Sequence, residues 1–345
     1  MFKHIIVPLD GSARAEEALP VAARLVRASG GQLTLLSIVP STVELDMRPM
    51  PLQKAADLAS EEDIAKTSNY LTHIAMSKEL EGINVRTETL SGSAAKMILL
   101  FAQMQHGDLI VMCSRGYSGS RLWTLGGVAE KVVRHSSTPV LMLHEGGTRL
   151  LAPAATAARP VRLLVSLDGS PFAETALTPA AQLCAALAAP DHGTLHLCQV
   201  LRLPSVTGED GKHFAEKDEH AIENAKVYLQ SVAQHLQQDE SAGFGCTVTT
   251  SVIVNMDVAE TLIQLAAHGE DLNTGEKAGA FDTIVMATHG GGNLAYWIMG
   301  STTERVLHGS KHPLLIVRPE EVASQASQMV QPISQPDALP IENLT

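Results

Sequence analysis

The segment from Thr283 to Thr302, TIVMATHGGGNLAYWIMGST, decides how the rest of the chain is interpreted. It begins with an apolar, β-branched run, which is typical of a buried strand. Three consecutive glycines follow, and a helical pattern begins at Gly300 and Ser301. A strand that ends in a glycine turn and leads into a helix presents backbone N–H groups and a positive helix end to an anion, most naturally a phosphate.

The same pattern occurs upstream, from Leu109 to Val128, LIVMCSRGYSGSRLWTLGGV. Nine residues separate Gly116 from Gly126, and nine separate Gly290 from Gly300. The strand and turn HIIVPLDGS at residues 4–12 are likewise repeated as RLLVSLDGS at residues 162–170. The chain therefore contains one module twice.

Strands alternate with helical patterns in both modules, which indicates a parallel sheet covered by helices on both faces. We predict an α/β protein with two tandem, five-stranded, Rossmann-like domains. The expected boundaries are residues 1–145 for the first domain, 146–160 for a linker rich in small residues and proline, 161–319 for the second domain, and 320–345 for a disordered tail.

The sequence predicts where three of the helices begin or end. Ser12 is expected to cap one continuous helix from Ala13 to Ala28. A later helix in the first module is expected to end near Gly82, and a helix in the second module is expected to begin after Glu219.

The composition excludes several classes of function. With 345 residues and 45% hydrophobic content, the chain is long enough for two buried cores. The net charge of −12 argues against binding to nucleic acid or an anionic membrane. The four cysteines lack CxxC spacing and are interpreted as buried free thiols. No signal peptide or spanning segment is predicted, so we expect a cytoplasmic protein.

Parallel α/β sheets bind ligands outside the carboxyl ends of the strands, where the strand order reverses. The first and fourth strands of each module flank that point, which places Asp168 beside the loop that begins at His289. Two roles suit Asp168: accepting hydrogen bonds from a ribose or adenine edge, or bracing the Asp-Gly-Ser turn.

Two roles also suit Ser301. The run from Ser301 to Glu304 has the form of a capping box, in which the Ser301 hydroxyl accepts from the backbone N–H of Glu304. Alternatively, that hydroxyl and the neighbouring N–H groups, including that of Thr302, bind phosphate oxygens.

These residues resemble the universal stress protein family in its tandem two-domain form. The family's nucleotide motif is G-x-x-G, nine residues, then G-[ST]. The second module departs from it only at the first glycine, where it has Ala287. The first module has Cys113 at that glycine and Gly127 at the Ser/Thr position. The resemblance implies an adenine nucleotide α-hydrolase-like fold, with the two domains paired through their fifth strands as a pseudo-dimer.

The resemblance also implies which residues hold ATP, with Mg²⁺ on its phosphates. The first-strand aspartate lies near the nucleoside, a backbone group late in the second strand meets adenine, and the motif holds ribose and phosphates. In the second module these positions are Asp168, Val200, Gly290, Gly300 and Ser301. In the first module they are Asp10, Ile38, Gly116, Gly126 and Gly127. The motif favours the second module as the binding one.

Three functions stay open at this stage. The first is a regulatory protein that binds ATP and changes its interactions during stress. The second is a slow ATPase or phosphoryl transferase, for which Arg115 and His289 are the candidate groups. The third is an interaction scaffold that binds no nucleotide. The protein partners, and the pairing of two chains into a homodimer, stay open as well.

Overall fold

The computed structural model describes residues 1–40, 61–114, 125–144, 160–202, 211–238, 245–269, 279–288 and 299–319. Within residues 211–238, side chains are described from residue 218 onward. The expected tail and all of the expected linker except residue 160 lie outside these ranges. No helix within them is both long and apolar enough to cross a membrane.

The first domain alternates strands with helices in the following order: β1 (His4–Leu9), α1 (Ala13–Glu16), α2 (Leu19–Ser29), β2 (Gln32–Val39), α3 (Glu61–Ala75), β3 (Asn84–Ser91), α4 (Ala94–Met104), β4 (Leu109–Cys113), α5 (Gly127–His135) and β5 (Val140–Leu143). The second domain repeats that order: β6 (Arg162–Leu167), α6 (Pro171–Glu174), α7 (Leu177–Ala188), β7 (Thr194–Leu201), α8 (Gly211–Gln238), β8 (Thr247–Val254), α9 (Val258–His268), β9 (Thr283–Ala287), α10 (Ser301–Gly309) and β10 (Leu314–Val317).

All ten of these strands form one sheet, in the order β3-β2-β1-β4-β5-β10-β9-β6-β7-β8. Strands within each domain are parallel, as predicted. In the first domain β1 lies between β2 and β4. β2 and β3 follow it on one side of the sheet, and β4 and β5 lie on the other. The strand order reverses there, and a crevice opens at the carboxyl ends of β1 and β4.

The two domains join through their fifth strands. β5 and β10 pair antiparallel, with Leu315 opposite Leu141 and Ile316 opposite Val140. This pairing covers two apolar strands that would otherwise be open sheet edges. It confirms the predicted pseudo-dimer within one chain.

Two hydrophobic clusters cover the two faces of the sheet, and each contains residues of both domains. Successive residues of a strand point to opposite faces, so Ile5 and Leu163 belong to one cluster, while Ile6 and Leu164 belong to the other. All four side chains are fully buried. The core is therefore continuous across the domain boundary.

The predicted continuous helix from Ala13 to Ala28 is wrong, although Ser12 does cap its start by accepting from Ala15 N at 3.1 Å. The structure has two helices, α1 and α2, separated by a turn in which Ala18 N donates to Ala15 O. Pro20 has no N–H with which to continue the helical hydrogen bonds, so the first helix ends before it.

Two other predicted helix ends also differ from the structure. α3 ends at Ala75, and a short 3₁₀ helix, Lys78–Leu80, precedes the turn at Gly82, whose φ is +76°. α8 begins at Gly211 instead of after Glu219. Its added first turns contain Lys, Ala and Glu, which favour helix without contributing apolar periodicity, so the pattern did not reveal them.

Candidate functional site

Asp10 follows the carboxyl end of β1, and its side chain shapes the turn into α1. Its Oδ1 accepts from Ser12 N at 3.1 Å and from Ser12 Oγ at 2.6 Å. Ser12 in turn caps α1. The turn-bracing role considered from the sequence is therefore present. The Asp10 side chain is nonetheless exposed at the crevice.

The opposite wall of the crevice is built from the end of β4 and the start of α5. Ser114 N donates to Leu143 O at 2.8 Å, and Gly126 N donates to Ser114 O at 2.7 Å. These bonds hold Gly126 beside the end of β4, where it is the N-cap of α5. Since glycine has no side chain, it supplies no capping acceptor to the first N–H groups of the helix.

The first-domain cleft lies between these two walls and has a volume of about 130 Å³. Asp10, Ile38, Gly126 and Gly127, four of the five residues predicted for this module, line it together. The fifth, Gly116, lies outside the described residues. The remaining lining residues are Pro8, Leu9, Ala15, Leu36, Ala94, Ile98, Met112, Cys113, Ser114, Val128 and Ala129.

Cys113 narrows this cleft at the position where the family motif has glycine. Its side chain is 8% exposed, and its Sγ lies 4.0 Å from Ala15 O across the crevice. Burial raises the pKa of the Cys113 thiol to about 12. The thiol therefore stays protonated near neutral pH and acts as an apolar wall.

The second domain repeats the aspartate turn. Asp168 Oδ1 accepts from Ser170 N at 3.0 Å and from Ser170 Oγ at 2.5 Å, and Asp168 is exposed like Asp10. Val200 lies half-buried on β7, at the position that Ile38 takes on β2. Gly290, His289 and Arg115 lie outside the described residues.

Of the two roles considered for Ser301, the capping box does not form. Gly300 is the N-cap of α10, and its carbonyl accepts from Glu304 N at 2.9 Å, so Ser301 is already the first helical residue. The carboxylate of Glu304 forms a salt bridge of 3.2 Å with Arg134 of the first domain instead of reaching back to the cap. Ser301 is exposed and makes no capping bond.

Backbone and hydroxyl contacts hold the start of α10 against β9. Gly300 N donates to Thr288 O at 2.8 Å, and Thr303 Oγ1 donates to Ala287 O at 3.0 Å. A Cβ on Gly300 would lie 3.2 Å from Thr288 O, so glycine is needed here for close approach. The φ of Gly300 is −57°, an angle that any residue can adopt, so its backbone conformation does not require glycine.

A second cleft of about 430 Å³ lies at the carboxyl end of β8 and along α9, and the sequence analysis did not identify it. Asp257 and Glu260 line it together with Gln264 and His268. Asp257 binds Arg305 through two hydrogen bonds of 2.9 and 2.7 Å, which lower the pKa of the carboxyl. Among the described residues, no group of three or more His, Cys, Asp or Glu could hold a metal ion.

The fold defines a tandem α/β protein whose two domains pair through their fifth strands. A model of the universal stress protein family matches residues 1–144 and 161–318. These segments make up most of the chain, and the chain therefore belongs to the universal stress protein family.

The chain also resembles individual proteins, some over most of its length and some over one part of it. A universal stress protein of Mycobacterium tuberculosis is 21% identical over 318 residues, covering 91% of this chain and 96% of the relative. One of Methanocaldococcus jannaschii is 30% identical over 146 residues, covering 41% of this chain and 82% of the relative. The crystal structure of a universal stress protein from Archaeoglobus fulgidus has a TM-score of 0.57 and 20% identity, covering 91% of this chain and 98% of that one.

Proposed function

We propose that this protein is a stress-response regulator that binds an adenine nucleotide, ATP with Mg²⁺ on its phosphates, at the carboxyl ends of the first and fourth strands of a domain. The observation that carries the proposal is the first-domain cleft. It gathers Asp10, Ile38, Gly126 and Gly127, residues far apart in sequence, around one cavity.

The starts of α5 and α10 suit the phosphates. Both helices have a glycine N-cap without a side-chain capping bond, so no capping side chain competes for their first N–H groups. The positive end of the helix dipole favours an anion there. In α10 the exposed Ser301 adds a hydroxyl beside the backbone N–H groups of Ser301 and Thr302. This hydroxyl supports the second domain as the tighter site.

Asp10 and Asp168 suit the ribose. Each is exposed, and each is held by its serine partner in one orientation at the end of a central strand. A carboxylate accepts hydrogen bonds from the hydroxyl groups of a sugar. The backbone of Ile38 or Val200 would meet the adenine edge.

The first-domain cleft is small for a nucleotide. Its volume of about 130 Å³ is below the roughly 300–1,000 Å³ of typical ligand pockets. Cys113 contributes to the narrowness because it places a side chain where the family motif has none. This supports weaker binding in the first domain than in the second.

Calorimetric titration of the nucleotide-stripped chain with ATP and Mg²⁺ tests the proposal, with Gly300→Val and Gly126→Val measured in parallel. Val at either position places a branched side chain at the helix start, so each variant is expected to lose the site in its own domain. Thermal unfolding checks that both variants remain folded. We expect Gly300→Val to remove the tighter binding.

The same titration separates the competing functions. If the unmutated chain binds no ATP, the proposal is overturned and the interaction scaffold is favoured. Release of inorganic phosphate at a rate that vanishes in His289→Ala would favour a slow ATPase. ATP binding without phosphate release is the result expected of a regulator.

A further inference from the structure

The four cysteines all lie in the described part of the chain, and they fall into two chemical types. Cys113 and Cys198 are buried thiols whose pKa values burial raises to about 12. Such thiols remain protonated and react slowly with oxidants. Cys184 and Cys246 differ, because their side chains contact each other.

Cys184 lies on α7 with no exposed surface, and Cys246 immediately precedes β8 and is partly exposed. A hydrogen bond joins the two thiols. The backbone independently brings the two positions together. The Cys184 Sγ occupies the space where a side chain on Gly193 would stand, and Gly193 O accepts from the backbone N of Thr247, the residue after Cys246, at 2.8 Å.

The pair is asymmetric in charge as well as in exposure. The hydrogen bond from Cys184 lowers the pKa of Cys246, although partial burial opposes this. The same hydrogen bond, followed by burial, raises the pKa of Cys184. Of the two thiols, Cys246 therefore loses its proton more readily, and the thiolate is the form that reacts with an oxidant.

We propose that Cys246 and Cys184 are a peroxide-sensitive site that forms a reversible disulfide within the second domain. Cys246 reacts first because it is the partly exposed member of a contacting pair. Cys184 resolves the product because it already touches the Cys246 sulfur. The site lies apart from both nucleotide crevices and does not depend on the proposed function.

The chemistry has two steps. The Cys246 thiolate attacks one oxygen of hydrogen peroxide, the O–O bond breaks, and hydroxide leaves to give a sulfenic acid. The Cys184 sulfur then attacks the Cys246 sulfur, the S–O bond breaks, and the leaving hydroxide takes the thiol proton as water. Overall, two thiols and one peroxide become one disulfide and two waters. A dithiol reductant reverses the change by thiol–disulfide exchange.

The new bond would join α7 to the residue before β8 and enclose β7 and α8 in a covalent loop. A cross-link of this kind restricts the unfolded chain and stabilises the folded one. Peroxide treatment is therefore expected to raise the urea concentration at which the protein unfolds.

Non-reducing peptide mapping of the full chain tests the proposal. The chain is treated with hydrogen peroxide, and free thiols are then blocked in denaturant. The expected product is a peptide pair joined through Cys184 and Cys246 that separates on reduction. The proposal is overturned if, in the unmutated protein, Cys246 is oxidised further to sulfinic acid. It is also overturned if Cys246 links two chains without bonding to Cys184.

Two variants assign the roles of the two sulfurs. Cys184→Ala keeps a small apolar side chain in the core and is expected to halt at the Cys246 sulfenic acid, which dimedone traps. Cys198→Ala is the matched buried control and is expected to form the disulfide at the unmutated rate. Equal dimedone labelling of Cys246 in the unmutated chain and in Cys184→Ala would show that Cys184 does not resolve it.

Discussion

The hydroxyl of Tyr70 donates a 2.8 Å hydrogen bond to Glu16 Oε1 and so ties α3 to α1, next to the turn that holds Asp10. The second domain repeats the contact, with Tyr228 donating to Glu174 Oε1 at 3.0 Å. Burial, followed by the adjacent glutamate, raises the pKa of each tyrosine. The two domains therefore share a tyrosine–glutamate contact that holds the first helix, in addition to the same sheet topology.

Tyr70→Phe is expected to lower the free energy of unfolding by about 1 kcal/mol, because a half-buried hydroxyl to carboxylate bond is lost while the ring remains. Urea unfolding measures this change. Tyr228→Phe is the matched variant and is expected to cost a similar amount. No change in either variant would mean that water takes the place of the tyrosine hydroxyl on the glutamate at no cost.

The same contact predicts a pH dependence. The folded state holds both tyrosines neutral to a higher pH than the unfolded state, in which tyrosine ionises near pH 10. Their contribution to stability is therefore complete below about pH 10 and is lost as the pH rises through the raised folded pKa. Unfolding curves between neutral pH and alkaline pH should show a steeper loss for the unmutated chain than for the double Tyr→Phe variant.

Gly127→Ser is expected to strengthen ATP binding in the first domain by about fivefold, because it restores a hydroxyl that donates to phosphate. Nothing lies within 4 Å of the new Cβ, so the substitution fits without rearrangement. The titration is made in the Gly300→Val background, which isolates the first domain. Ser301→Gly in the Gly126→Val background should weaken the second domain by a similar factor.

An unchanged affinity in both of these variants would show that the hydroxyl at the first helical position does not contact the nucleotide. The difference in affinity between the domains would then have to come from Cys113 and the other cleft residues.

His144 follows β5 and reaches into the second domain, where its ring nitrogens lie 3.1 Å from the carbonyl oxygens of His312 and Leu307. The side chain is 6% exposed. His144→Leu is expected to lower the free energy of unfolding by about 1–3 kcal/mol, since it removes the partner of buried carbonyl groups. His73→Leu, on the exposed surface of α3, is the control and should change stability little. Equal effects of the two variants would contradict an interdomain role for His144.

Asp257 caps α9 through Glu260 N at 3.0 Å and also pairs with Arg305. Asp257→Ala should lower the melting temperature more than Asp257→Asn, because Asn retains the cap but not the ion pair. The pKa of Asp257 is lowered in the folded state. Its contribution is thus present above the unfolded value near pH 4 and is lost as the pH falls through the folded value.

Added salt should narrow the difference between the unmutated chain and Asp257→Asn, because both partners are solvent-exposed and salt screens them. A difference that salt leaves unchanged would indicate that the cap alone accounts for the effect of the aspartate.

Local patterns predicted several parts of the fold directly. An apolar and β-branched run predicted the limits of β8, Thr247–Val254. The position of Ser12 before a helix predicted that it caps that helix. The repeated Asp-Gly-Ser turn located the crevice, because a parallel sheet places the carboxyl ends of β1 and β4 side by side. The resemblance to the universal stress protein family then assigned Asp10, Ile38, Gly126 and Gly127 to that crevice before any coordinates.

Other features could not be predicted because they depend on contacts between distant residues. The Ser301–Glu304 pattern had the form of a capping box, but Glu304 pairs with Arg134 of the other domain. The helix break before Pro20 is of a different kind: it could have been predicted from the sequence, because proline cannot donate a helical hydrogen bond. The 430 Å³ cleft beside α9 had no motif that would identify it.

The amino-acid sequence by itself determined the duplicated module, the alternation of strands and helices, and the residue types at the two crevices, because these depend on spacing along the chain. The tertiary structure decided which side chains meet across the chain. His144 reaches the carbonyls of the second domain because β5 pairs with β10. Cys184 touches Cys246 because α7 packs on β7, the strand that pairs with β8. No local pattern encodes such distances, since they result from how the whole sheet is assembled.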